Sequence, residues 1–151
     1  MDARGLEKRL AWKIRRSRHR PSTTFGAAYA AFNRGDIEAA VEPLDPQIEW
    51  IEPTEFPGGG TCHGRDEVKR YLTQSFAAWA EASSEPERFI AFGNRIVVLV
   101  HARVRSRKSN QWRDVRLADV YTMRNGKAIQ MRAFADRQEA LGWAGAEESS
   151  R

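Results

Sequence analysis

Polar and apolar positions along this 151-residue chain change period several times, and each change marks an element. Phe25, Tyr29 and Phe32 fall at i, i+4 and i+7, one stripe of a helix. Pro21 precedes it, and Ser22 to Thr24 offer an N-cap. Gly35 ends that helix, and Asp36 can cap a short second one bearing Ile37, Ala40, Val41 and Leu44, closed by Asp45-Pro46. From Ile48 the period drops to two. Ile48, Trp50 and Glu52 share one face of a strand that Pro53 stops. Residues 53–64, "PTEFPGGGTCHG", are too rich in turn residues for regular structure. Val68, Leu72, Phe76 and Trp79 then mark a longer helix from Arg65, ended by "SSEP".

The rest reads as strands. Residues 87–92 lead through Gly93-Asn94 into "RIVVLVHARVR" (95–105), which is too β-branched for a helix. A polar connection, 106–111, precedes a strand over Trp112–Arg124 and another over Lys127–Ala135. Asp136 with Glu139 resembles a capping box opening a short final helix through Leu141. The order predicts an α+β domain with helices on one face of a curved antiparallel sheet.

Asn125-Gly126 is the strongest hairpin signal in the chain, and its register decides the setting of Asp119, which alternates with Leu117, Tyr121 and Met123. A two-residue loop puts Asp119 opposite Arg132, an ordinary cross-strand ion pair. A three-residue loop, Arg124-Asn125-Gly126, puts it opposite Met131 and sets Leu117, Tyr121 and Met123 against Ala133, Ile129 and Lys127. A one-residue slip moves a strand's whole side-chain set across the sheet. Burying Ile129 and Met131 is worth roughly 1.5–3 kcal/mol each, an exposed Asp–Arg pair at most ~1 kcal/mol, so the three-residue loop is expected. Asp119 is then an unpaired carboxyl on the apolar face, with its ionised form disfavoured, and a candidate for chemistry. The ordinary alternative is a closed core in which a tyrosine hydroxyl or backbone amide satisfies it. Glu52, beside Ile48 and Trp50, poses the same question, its alternative being a strand end that reaches water.

Charge narrows the partners. Eight Lys/Arg against Asp2 and Glu7 give residues 1–22 a net +6, so in a chain of net +5 the remainder carries −1. A nucleic-acid-binding domain carries its positive charge on the fold, which sets that function aside for residues 23–151. A solvated, partly disordered extension is the expected reading of that basic tail; nucleic acid or membrane contact could come only through residues 1–20, where Leu6, Leu10 and Ile14 recur amid arginines. No apolar run approaches the ~20 residues of a membrane span, and the N-terminus lacks a secretory pattern. Cys62 is the single cysteine, so a reducing cytoplasm is the expected compartment. No metal is expected, because the three histidines lack ligand spacing. Gly58 to Gly60 are not followed by Lys-Ser/Thr and make no phosphate loop. Cys62 and His63, as neighbours, are poorly placed as nucleophile and base. His101 alternates with Arg103 and is placed on the outer face.

Three stretches, "AAYAAFNRGDIEAAVEPLDPQIEWIEP", "GRDEVKRYL" and "LADVYTMRNGKAIQMRAFADRQEAL", lie in order over about residues 23–143. Together they resemble the nuclear transport factor 2-like superfamily, in particular SnoaL-like polyketide cyclases and ketosteroid isomerases. The resemblance implies a cone-shaped curved antiparallel sheet wrapped around helices, with one enclosed apolar cavity. It divides the chain into a basic extension (1–22), a SnoaL-like domain (23–145) and a tail (146–151). It also implies a homodimer through the outer sheet face, which suits Arg116, Arg132 and Phe134.

Site residues carry over singly. The isomerases' proton-abstracting acid before a proline falls on Glu52. Their protonated acid, bonded to the substrate oxygen, falls on Asp119, as does the acid of SnoaL-type cyclases. Their helix-one tyrosine falls on Ala28. Tyr29, ~100° further round the helix, is expected to pack with Phe25 and Phe32, leaving Tyr121 as the substitute. Epoxide-hydrolase chemistry is rejected because Leu117 and Ala133 replace its Arg and second Asp. Dehydratase chemistry of the scytalone type needs cavity histidines, and only His63 and His101 are on offer. The expectation is a protein that binds a small lipophilic molecule without cofactor. Glu52 and Asp119 would be its catalytic carboxyls if it is an isomerase or cyclase, with Trp50, Phe56, His63, Phe76, Tyr121 and Met131 around the substrate. The alternatives are a non-catalytic binding protein of the same fold, or an interaction protein docking through its basic tail.

Overall fold

The computed structural model describes residues 21–56 and 58–149, so the tail pattern at Leu6, Leu10 and Ile14 lies outside the described residues. Helix α1 spans Pro21–Asn33, starting at the proline rather than after it, as suits a residue whose missing N–H has no helical partner in the first turn. Asp36 caps the four-residue α2 (Ile37–Ala40) by accepting from the Ala39 amide at 3.2 Å. Then follow β1 (Leu44–Glu52), β2 (Gly60–His63), α3 (Arg65–Ala77), β3 (Glu81–Phe92), β4 (Arg95–Arg105), β5 (Trp112–Arg124), β6 (Lys127–Phe134) and α4 (Arg137–Ser149).

The six strands form one curved sheet in the order β2-β1-β6-β5-β4-β3, antiparallel throughout except for the parallel pair β1–β6. Two strands run through prolines that were expected to stop elements. Pro46 falls where β1 slips against β6, between Leu44 and Glu49, and Pro86 falls at the register shift of edge strand β3. Irregular and edge positions are where a missing N–H costs no ladder bond. The turn-rich stretch after Pro53 is likewise not all loop, because Gly60–His63 pair back onto β1, Glu52 opposite Gly60. Gly59 makes that reversal possible: a Cβ there would lie 2.0 Å from the Pro53 carbonyl oxygen.

The hairpin at Asn125-Gly126 solves the register problem in a third way. Its loop has two residues, not three, with Arg124 opposite Lys127 and positive φ at both Asn125 (52°) and Gly126 (79°), as a type I′ turn requires. The ladder then shifts within two residues. Thr122 pairs with Gln130 and Ile129 is left over as a bulge, so that Asp119 faces Ala133, Tyr121 faces Met131, and Arg132 pairs with Val120. Asp119 thus shares the apolar face with Met131 and Ala133, and Arg132 lies on the other. The bulge combines the favoured turn with the favoured burial.

Both faces of the sheet are covered, which corrects the one-sided layout. One cluster joins Phe25, Leu44, Ile48, Val68, Val98 and Met131 between α1–α3 and the sheet. A second, including Ile90, Phe92, Val97, Leu99 and Val120, packs under Ala140 and Ala144 of α4. That helix runs well past Leu141 and is clamped by Arg137, which donates to the carbonyls of Val100 (2.8 Å) and Leu117 (3.1 Å) and to Glu87 (2.5 Å). On the outer face Phe134 and Arg132 pack on Trp143 of the same chain. Among the described residues no helix is long and apolar enough to cross a membrane.

Candidate active site

Alternation along β5 turns Leu117, Asp119 and Tyr121 towards the helices, and β1 does the same with Ile48, Trp50 and Glu52. Between them lies a cavity of about 270 Å³, lined at its polar end by Tyr29, Trp50, Glu52, Asp119 and Tyr121, with Tyr71 on α3. Helix α1 is fixed in rotation by Asn33, whose amide donates to the Ser84 carbonyl (3.0 Å) while its oxygen accepts from the Ser84 N–H (2.7 Å). One turn earlier on the same helix, Tyr29 is thereby held over β5.

There Tyr29 donates its hydroxyl proton to Asp119 Oδ2 at 2.5 Å and stands 3.0 Å from the Tyr121 hydroxyl. With its own proton committed to the carboxylate, Tyr29 can only accept from Tyr121, which sets a chain Tyr121→Tyr29→Asp119. Burial and the nearby Asp119 charge push both phenols well above their ordinary value of 10.0. They therefore act as donors and not as phenolates.

Glu52 is not a strand end in water. The β1–β2 hairpin continues past it, and the indole N–H of Trp50, two residues earlier on the same face, donates to Glu52 Oε1 at 2.9 Å. Burial raises Glu52 to about 8, the Asp119 charge adding to this and the Trp50 bond opposing it. Burial raises Asp119 to about 6, opposed by the hydrogen bond from Tyr29. Both carboxyls are held above the ordinary carboxylate range by burial, so near neutral pH the pair shares a proton. Two oxygens remain uncommitted to these partners, Glu52 Oε2 and Asp119 Oδ1.

A raised carboxyl pKa makes folding pH-dependent in a definite direction. The folded state binds the proton more tightly than the unfolded chain, so Glu52 costs nothing below its ordinary value of 4.5. Stability falls as pH rises from there towards about 8, where the folded-state group ionises. Glu52→Gln is therefore expected to stabilise the protein by several kcal/mol at pH 9, about 5 kcal/mol as an upper figure, and to leave it unchanged at pH 4. Denaturant titrations at the two pH values measure this; equal stability of the two proteins at pH 9 would place Glu52 in water.

Of the other residues expected around a ligand, Trp50, Phe56 and Tyr121 line the cavity. His63 lies exposed on β2, its amide bonded to Glu67. Phe76 packs edge-on against Phe32 at 5.6 Å, and Met131 is wholly buried in the core. None of the three lines the cavity. The expectation that Tyr29 merely packs with Phe25 and Phe32 gives way to its bond with Asp119. Tyr71 and Ser75, one turn apart on α3 and both in the wall, were not anticipated. Their i, i+4 spacing is the sequence signal they offered. Outside the cavity His101 and Arg103 bind Asp114 at 2.8 and 3.0 Å on the outer face. Among the described residues no group of His, Cys, Asp and Glu is arranged to hold a metal ion.

A curved six-stranded sheet folded over helices around an apolar, acid-bearing cavity defines the NTF2-like cone. The sequence profile of the SnoaL-like domain family matches residues 25–131, and the chain belongs to that family. Among solved structures it is 30% identical to an NTF2-like protein of unknown function from Burkholderia pseudomallei K96243, covering 79% of this chain and 92% of that one with a TM-score of 0.68. It is 28% identical to TerC, co-crystallised with polyporic acid, over 78% of this chain and 92% of that one, TM-score 0.65. A protein of ketosteroid isomerase-like fold from Catenulispora acidiphila DSM 44928 shares the fold at 13% identity, TM-score 0.65, over 79% and 89% of the two chains. No curated protein matches the chain significantly.

Proposed function

We propose that this SnoaL-like protein is a cofactor-free isomerase or cyclase that moves a proton next to the carbonyl of a small lipophilic compound. The observation that carries the reading is the pair Glu52 and Asp119 in one apolar cavity, each with one oxygen committed to a neighbour and one uncommitted. The roles are the reverse of those implied by resemblance. Asp119, ionised and steadied by the Tyr29 hydroxyl, is the base. Glu52, holding its proton, donates a hydrogen bond to the oxygen on which enolate charge develops. That TerC has been co-crystallised with polyporic acid supports an organic small molecule as the kind of ligand.

The test is solvent-deuterium incorporation next to the carbonyl of lipophilic enones and diketones, followed by NMR. Exchange requires Asp119 ionised and Glu52 protonated, so its rate is expected to rise through a pH of about 6 and fall again through about 8. A rate that climbs steadily with pH reports hydroxide acting alone. Retained ligand binding without any exchange would make the cavity a binding pocket only.

A further inference from the structure

The cavity is closed at the carboxyl end and open at the other. Inward positions of β5 run Tyr121, Asp119, Leu117, Val115, Arg113. Tyr121 is 5% exposed, whereas Val115 is 38% exposed while still lining the cavity. Strand β4 shows the same gradient, from buried Val100 through half-buried Ala102 and Val104. The mouth therefore faces the β4–β5 hairpin. Arg113, paired with Val104 and alternating with Val115, is the next inward position beyond the rim.

The charges at that end are unbalanced. Its carboxylates are already engaged: Glu81 by Arg105 at 2.9 Å, and Asp114 by His101 and Arg103 on the outer face. Arg107 gives its Nε and Nη2 to the Ala77 carbonyl at the end of α3, two residues before Trp79 of the cavity wall. Among the described residues of the hairpin, exposed Arg113 and Lys108 have no such partner. At the floor, by contrast, the lining holds Glu52 and Asp119 and no Lys or Arg, which disfavours an anion there.

We infer that the ligand is an elongated amphiphile with an anionic group, carboxylate being the simplest, which Arg113 holds at the mouth with help from Lys108 while the apolar body fills the cavity. Arg113 lies six positions along the strand from Asp119, roughly 20 Å less the reach of the arginine. The carbonyl at the inner end rests on the function proposed above and makes the ligand a keto acid. The anion at the mouth stands on the cavity and its charges alone.

The experiment titrates the full chain with dodecanoate, dodecanol and dodecyltrimethylammonium below their micellar concentrations, reading the fluorescence of wall tryptophans Trp50 and Trp79 and the heat of binding. Dodecanoate is expected to bind about fivefold tighter than dodecanol, and the cation weakest, the size of effect a solvent-exposed ion pair supplies. Arg113→Gln should remove the preference without changing dodecanol affinity, and high salt should do the same. No preference in the wild type, an equal loss for acid and alcohol in R113Q, or no binding of either chain overturns the proposal. The selectivity persisting without any proton exchange would instead count against the catalytic reading while supporting this one.

Discussion

Asp119→Asn is expected to lower the proposed proton exchange by about 10²–10⁴-fold, the usual range for loss of a general base, and to leave the fold intact. The amide is nearly isosteric and its carbonyl can still accept the Tyr29 hydroxyl, so the chain Tyr121→Tyr29 keeps its terminus. What disappears is the only feature the mechanism needs at this atom, a carboxylate oxygen able to take a proton. Binding of an unreactive ligand should change little, because the cavity wall is otherwise apolar. Far-ultraviolet dichroism and the denaturation midpoint serve as controls for folding. Wild-type exchange in this variant would remove Asp119 as the base. Combining it with Glu52→Gln should cost much less than the product of the two separate losses, since groups acting as a unit are not additive.

Phe25→Ala is expected to destabilise the domain by about 3–5 kcal/mol, the range for emptying a buried aromatic site. Phe25 is 1% exposed and its ring lies 4.2 Å from that of Tyr121, tilted by 34°. It therefore fills the core and supports the tyrosine that donates to Tyr29. Against a typical total of roughly 5–15 kcal/mol, the loss is a large fraction and shows as a lowered urea midpoint at unchanged slope. Trp112→Ala is the contrast. Trp112 is 45% exposed and touches the guanidiniums of Arg103 and Arg105, so its loss should stay within ~1 kcal/mol. Equal costs for the two would mean that the core has been misplaced.

The two carboxyls also show why such a site is held at a cost to stability. Each is disfavoured in its charged form by the apolar wall of the cavity. Replacing either by its amide relieves that cost at high pH and abolishes the difference in proton affinity on which the proposed chemistry depends.

Much of the layout was legible because it is written in short-range patterns. Alternation placed Ile48, Trp50 and Glu52 on one face, and β-branched residues between a Gly-Asn turn and a polar connection gave β4 its limits at Arg95 and Arg105. The Asp36 cap and the Asn125-Gly126 turn are chemistry of three or four neighbouring residues. That Asp119 lies on the apolar side followed from segregation of polar and apolar positions, even though the loop length expected to produce it was wrong. Parity survives an error in the loop when a bulge at Ile129 restores it.

What tertiary structure decided is what depends on distant partners. Tyr29 and Asp119 are 90 residues apart, and only the docking of α1 through Asn33 on Ser84 turns the tyrosine onto the carboxyl. The β1–β6 parallel pairing, the short β2 that keeps Glu52 indoors, and the placing of α4 over the outer face have no periodic signature. Each is settled by which surfaces remain to be covered once the neighbouring elements are in place. The sequence by itself determined which side chains face inward, because period is local. Which inward side chains meet, and therefore how far both acids are pushed above their ordinary values, came from burial and charge that exist only after the chain has closed on itself.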